Sequence, residues 1–231
     1  MNESVTAIVP AAGMGKRFNI NKRKTFVEID GIPLIIHTLK RLNESGCIRE
    51  VIPVLMHDDI EKGYNLIAEH GLKKIKRIVE GGKERQDSVY NGLKAIGDDG
   101  IVLIHDGARP IIPDGLIEAL INEIDGLDGV IPGIPLKETI KTVDDSGTVI
   151  ETLNREGLLS IQTPQVFCLD VLRRAYQDAY KDGYYGTDDA VLVERIGGRV
   201  KVIMGSPYNI KVTTQEDIEI VRSLMRRNAV Q

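Results

Sequence analysis

The sequence predicts an α/β fold on a mostly parallel sheet, interrupted by an antiparallel arm, and three observations carry that expectation. Short apolar runs alternate with segments of helical apolar period along most of the chain, the pattern of repeated strand–helix units. The run Ile101-Val102-Leu103-Ile104 is continuously apolar, as a strand buried on both faces is, and it delivers polar residues at its carboxyl end. Between about residues 136 and 156 the rhythm changes: 139–143 and 148–153 are β-prone and flank Asp144-Asp145-Ser146-Gly147, a hairpin turn sequence.

Taken in order, residues 6–9 form a first apolar strand that Pro10 ends, because proline has no N–H for the ladder. Ile32, Ile35, Ile36, Leu39 and Leu42 recur at helical spacing, with Pro33 tolerated in the first turn. Residues 50–55 read as a strand, 58–70 as a helix, and 75–80 as a strand running into a second glycine loop, Gly81-Gly82-Lys83-Glu84-Arg85-Gln86-Asp87-Ser88. That loop opens a helix carrying Val89, Leu93 and Ile96. After the 101–104 strand come a helix over 114–125 with Asp114 as N-cap, a strand over 129–135, the arm, and a segment 158–161 leading to Gln162-Thr163-Pro164-Gln165. An amphipathic helix over 169–182 follows, then a helix capped by Thr187-Asp188-Asp189 and ended by Gly197-Gly198, a strand over 200–204, an extended segment 209–214, and a closing helix over 215–226. With no linker or repeat, one domain with an arm is expected. A two-stranded hairpin is marginal in water by itself, so the arm should rest on another subunit, which suggests a homo-oligomer.

Composition narrows the function. The 231 residues are 42% hydrophobic and 28% charged with a net charge of −4, ordinary for a globular protein and contrary to a general nucleic-acid or anionic-membrane binder. No uninterrupted apolar stretch approaches the roughly 18 residues a spanning helix needs. Cys47 and Cys168 lack paired spacing, the histidines lack zinc-ligand spacing, and no leader pattern opens the chain, so a cytoplasmic protein is expected.

Against that acidic balance, Pro10-Ala11-Ala12-Gly13-Met14-Gly15-Lys16-Arg17 with Lys24 places three cations around a loop nearly free of side chains at its start. Its backbone N–H groups can approach a ligand closely, and Gly13 and Gly15 can take positive φ, so the loop suits phosphates. It is not a Walker loop, since one residue separates the glycines and Arg17 follows Lys16, and Phe18 breaks the dinucleotide fingerprint. A plain strand-to-helix turn with solvated lysines is the alternative. His105-Asp106-Gly107-Ala108-Arg109-Pro110 lies where ligands bind in open parallel sheets. Asp106 there can hold a divalent metal and Arg109 a phosphate; otherwise Asp106 caps a turn with Arg109 as its ion-pair partner. His105 reads as structural. Lys211 can point into the same region.

These motifs together, with QTPQ (162–165), TDD (187–189) and NIKVTT (209–214), resemble in order the 2-C-methyl-D-erythritol 4-phosphate cytidylyltransferases over nearly the entire chain. The resemblance implies a single Rossmann-like domain over 1–231 with helices on both faces of the sheet, a homodimer with an exchanged β-arm, and a Mg²⁺ requirement. It implies that CTP and the sugar-alcohol phosphate yield CDP-methylerythritol and pyrophosphate. By motif, Ala11, Ala12, Gly13, Gly15, Arg17 and Lys24 would hold the triphosphate; Gly81, Gly82 and Ser88 would touch cytosine or ribose; Asp106 would meet the metal; and Lys211 would sit near the reacting phosphates. Thr139 and Arg155 would reach the acceptor phosphate of the partner subunit, with Arg109 and Thr163 as further acceptor-side residues. Met14 carries no inference. The rival readings are a ribitol-5-phosphate cytidylyltransferase, a hexose-1-phosphate nucleotidylyltransferase, and a catalytically silent nucleotide sensor.

Overall fold

The computed structural model describes residues 4–13 and 23–228. The chain begins with strand β1 (Val5–Pro10), a short 3₁₀ turn at Lys24–Phe26, the two-residue strands β2 (Glu28–Ile29) and β3 (Ile32–Pro33), helix α1 (Leu34–Glu44) and β4 (Ile48–Leu55). It continues with α2 (Ile60–Glu69), β5 (Val79–Glu80), α3 (Arg85–Lys94), β6 (Ile101–Ile104), α4 (Leu116–Asn122) and β7 (Gly129–Pro135). The arm strands are β8 (Ile140–Val143) and β9 (Val149–Leu153), followed by β10 (Leu159–Ile161), β11 (Gln165–Cys168), α5 (Leu169–Lys181), α6 (Ala190–Arg195), β12 (Val200–Met204) and α7 (Gln215–Asn228).

The main sheet has the order β10-β7-β11-β6-β1-β4-β5, with β12 also pairing with β7. Strands β6, β1, β4 and β5 are parallel, as is β12 on β7. The expected α/β architecture is therefore present. β1 is buried on both faces, so it is apolar at successive positions: Val5, Ala7 and Val9 pack with α1 and α4, whereas Ile8 packs with α3, α5 and α6. A third apolar cluster, with Ala108, Val212, Ile218 and Val221, clamps residues 209–214 to the end of the sheet. No helix among the described residues is long and apolar enough to cross a membrane.

Several local expectations are corrected. Residues 75–78 stay outside the sheet, because only Val79 and Glu80 pair, with Val54 and Leu55. Asp114 does not cap α4: Gly115 holds that position at φ 73°, and the Asp114 carboxylate pairs instead with Arg41. Pro33 lies before α1, not in its first turn. The strand β11 was not anticipated. It runs antiparallel to both β6 and β7, and Phe167 crosses Gly129 so closely that a Cβ there would lie 2.6 Å from the ring.

Within the arm segment, β8 and β9 form an antiparallel hairpin. Asp144 Oδ1 accepts the backbone N–H groups of Ser146 and Thr148 at 2.9 Å each, and Gly147 takes φ 82°. Among the described residues β8 and β9 pair only with each other, and Ile150 is 67% exposed.

Candidate active site

Because β1, β4 and β6 are parallel, their carboxyl ends lie on one edge, and the loops that leave them meet there. The Ala11 N–H donates to the Val54 carbonyl (2.9 Å), the Gly81 N–H to that of Leu55 (2.7 Å), and the Gly107 N–H to that of Pro10 (3.2 Å). The loops touch closely enough to require their small residues. A Cβ on Gly81 would lie 2.2 Å from that of Ala12, and one on Gly107 would lie 2.9 Å from that of Ala11. Gly82 donates its N–H to Ser88 Oγ (3.1 Å), and that hydroxyl donates to the Glu84 carbonyl, so Ser88 braces the second loop from a buried position.

Asp106 is the centre of the site. Its Oδ1 lies 3.1 Å from Arg85 Nε, and its Oδ2 lies 2.8 Å from Lys211 Nζ and 3.5 Å from Arg109 Nε. Its own N–H donates to Thr163 Oγ1 (3.0 Å), so the 162–165 loop fixes the main chain at this point. Burial alone would favour the protonated acid, but Arg85, then Lys211 and Arg109, hold the carboxyl far below the usual carboxylate range. Asp106 is a carboxylate at every working pH. Lys24 Nζ donates to the Val212 carbonyl (2.8 Å), and Val212 N–H to that of Ala108 (2.9 Å), which ties the first loop, the Asp106 loop and the Lys211 segment together. Arg109 anchors the same segment through the Asn209 carbonyl (2.7 Å).

The structure thus brings Ala11, Ala12, Gly13, Lys24, Gly81, Gly82, Ser88, Asp106, Arg109, Thr163 and Lys211 to one edge of the sheet. Thr139 and Arg155 stay exposed on the arm, where Arg155 hydrogen-bonds the Lys137 carbonyl. Gly15 and Arg17 lie outside the described residues. Sequence reasoning missed Arg85, at the start of α3, and Asp189, whose Oδ2 lies 2.7 Å from Arg85 Nη2. Both stand inside quoted motifs, but nothing local marks them as partners. Arg85, Arg109 and Lys211 meet two carboxylates, Asp106 and Asp189, and Lys24 adjoins them on the Val212 carbonyl. The site therefore carries a positive excess suited to a polyphosphate.

His105 is fully buried, with Nε2 on the Arg109 carbonyl, and burial brings its pKa from an ordinary 6.5 down to about 4. It is neutral at pH 7 and structural. In the unfolded chain it takes up a proton near pH 6.5 that the folded chain refuses until about pH 4, so it costs stability progressively as pH falls through that window, by about 3 kcal/mol in all. We expect His105→Gln, which has no charge to gain, to lose less unfolding free energy than the parent between pH 7 and 4.5. Parallel losses in urea titrations would contradict this.

The family model for 2-C-methyl-D-erythritol 4-phosphate cytidylyltransferase matches residues 5–227. The chain belongs to this family. Relatives of that name include one from Syntrophus aciditrophicus (strain SB), 40% identical over 98% of both chains, and one from Bacillus licheniformis, 41% identical over 94% of both. A solved 4-diphosphocytidyl-2C-methyl-D-erythritol synthase from Anaerococcus prevotii superposes with a TM-score of 0.84 at 32% identity, covering 98% of this chain and all of that one. The cytidylyltransferase of Francisella tularensis superposes with a TM-score of 0.80 at 27% identity, covering 95% and 99%. The matched range, residues 5–227, spans both glycine loops, the Asp106 loop, the arm and the Lys211 segment.

Proposed function

We propose that this chain condenses CTP with 2-C-methyl-D-erythritol 4-phosphate, giving CDP-methylerythritol and pyrophosphate for isoprenoid synthesis in the cytoplasm. The observation that carries the reading is the Asp106 carboxylate, ringed by Arg85, Arg109 and Lys211 at the meeting point of two glycine loops, in a chain matched to the family over residues 5–227.

An oxygen of the acceptor phosphate attacks the α-phosphorus of CTP, a new P–O bond forms, and the bond to the β-phosphate oxygen breaks in line as pyrophosphate leaves. The nucleophile is already an anion, so no general base is needed. The difficulty is bringing anions together, and fixed cations meet it. Ala12, Gly13 and Gly15 offer backbone N–H groups to the triphosphate, beside Ala11, whose own N–H is held by the Val54 carbonyl and whose small side chain lets the phosphates approach, while Arg17, Lys24 and Lys211 neutralise charge on the reacting and leaving oxygens. The loop of Gly81 and Gly82, braced by Ser88, receives the cytidine. Arg109 and Thr163 serve the acceptor side.

Among the described residues no group of three or more His, Cys, Asp or Glu side chains forms a metal cage. A Mg²⁺ held by one carboxylate, substrate phosphates and water needs none, and Asp106, kept ionised, fits that role. When bound, Mg²⁺ adds charge neutralisation on the phosphate oxygens.

The arm, paired only with itself and apolar at Val143, Val149 and Ile150, reaches in this reading across a homodimer and carries Thr139 and Arg155 to the partner's acceptor. The assay is pyrophosphate release from CTP with each candidate acceptor. We expect release with 2-C-methyl-D-erythritol 4-phosphate and little with ribitol 5-phosphate. Preference for ribitol 5-phosphate, or CTP binding without release, would replace this reading with one of its rivals.

A further inference from the structure

We propose that Tyr176, Asp189 and Arg85 form a buried positioning chain that aims the Asp106 carboxylate for cytidylyl transfer, an inference that rests on the transferase reading above. The chain links three elements to the site. Tyr176, on α5, donates its hydroxyl to Asp189 Oδ1 (2.5 Å), and Asp189 Oδ2 accepts from Arg85 Nη2 (2.7 Å). Arg85 Nε then donates to Asp106 Oδ1 (3.1 Å). Asp189 and Tyr176 are both fully buried, and the Tyr176 ring is itself held, stacked on Tyr90 with centroids 5.8 Å apart and planes within 7°.

Asp189 occupies the N-cap position of α6 yet makes no side-chain cap; the Val191 N–H goes to Asp188 Oδ1 instead (3.1 Å). A carboxylate taken fully out of water is costly unless paired, and its helix does not use it as a cap. What it does is fix a guanidinium. Arg presents its donors in a rigid planar fork, so gripping Nη2 also sets the direction of Nε. Arg85 is thereby pointed at Oδ1 of Asp106, leaving Oδ2 toward Lys211 and the substrate side. Asp189 also balances the Arg85 charge, so Asp106 is not drawn wholly toward Arg85 and keeps a negative oxygen to present. The protonation states agree with a fixed device. Burial works against the Arg85 charge but is outweighed by Asp189 and then Asp106, and burial together with Asp189 pushes the Tyr176 hydroxyl well above its ordinary range.

The test combines kinetics with a structural readout in three variants, Asp189→Asn, Arg85→Lys and Tyr176→Phe. Outer partners of this kind typically change activity about 10- to 100-fold. We expect kcat to fall by about that factor in Asp189→Asn and Arg85→Lys, and by about tenfold in Tyr176→Phe, with KM for CTP within about twofold of the parent. Lysine keeps the charge of Arg85 but cannot hold both carboxylates at once, so failure of that variant separates aim from charge. If Asp189 acts through Arg85, adding Asp189→Asn to an Arg85→Met chain should cost little more. In crystals of Asp189→Asn, or of Tyr176→Phe should the former not fold, the Asp106 carboxylate should leave its parental contact with residue 85. A parental kcat with only a lowered melting temperature, or an Asp106 carboxylate that keeps its place, would reduce the chain to a structural ion pair and overturn the proposal. Should the parent itself release no pyrophosphate, the transferase reading fails, and the displacement of Asp106 still decides whether the chain positions it.

Discussion

Lys211→Ala is expected to lower kcat by about 10²- to 10³-fold while the fold persists, the usual consequence of removing one preorganised donor aimed at developing charge. Lys211 is 39% exposed along its side chain, and its Nζ lies 2.8 Å from Asp106 Oδ2, so its ammonium borders both solvent and the site. The neighbouring Val212 is fully buried and holds the segment in place, so truncating Lys211 removes charge without removing the anchor. The loss should fall on kcat, because the charge Lys211 meets is greatest as pyrophosphate departs. Single-turnover measurements at saturating CTP check this. A rate within a few-fold of the parent would mean that Lys211 only balances Asp106.

The second large effect is the recovery of activity from two inactive chains. If the site is shared across a homodimer, as proposed, Asp106→Ala and Arg155→Ala should each be inactive as homodimers. A forced heterodimer places both lesions in one site and leaves the other with Asp106 and Arg155 intact. Activity should return to about half the parental level per dimer, one sound site in two. The exposed arm motivates the test, since a hairpin with half-exposed Val143 and Val149 and a more exposed Ile150 is not stable by burial within its own chain. A heterodimer shown to be assembled yet silent would mean that each chain builds its own site.

How much of this was legible in the sequence depends on the range of the interaction. The Asp106 loop is announced by the apolar run before it, and the parallel sheet by the alternation of elements, both local patterns. Lys211 could be suggested, but its meeting with Asp106 depends on the burial of Val212 beneath Ala108, which no local pattern encodes. The Arg85–Asp189 pair spans 104 positions and joins two helix starts, each of which reads locally as ordinary capping chemistry. β11 escaped because Gln165 and Cys168 bracket just two strongly β-prone residues, and its place is fixed by fit against β6 and Gly129. Asp114 looked like a cap because its residue type suits one, but Arg41 competes for it and Gly115 supplies the turn.

The central chemical claim is a single in-line displacement at the α-phosphorus with no covalent cytidylyl–enzyme intermediate. The most direct measurement is the stereochemical course with CTP carrying sulfur at the α-phosphate in one known configuration. Attack by the acceptor phosphate should invert that centre in the CDP-methylerythritol analogue. Retention would require two successive displacements through a bond to the protein, and would contradict a site in which Asp106, Lys24 and Lys211 only position and neutralise.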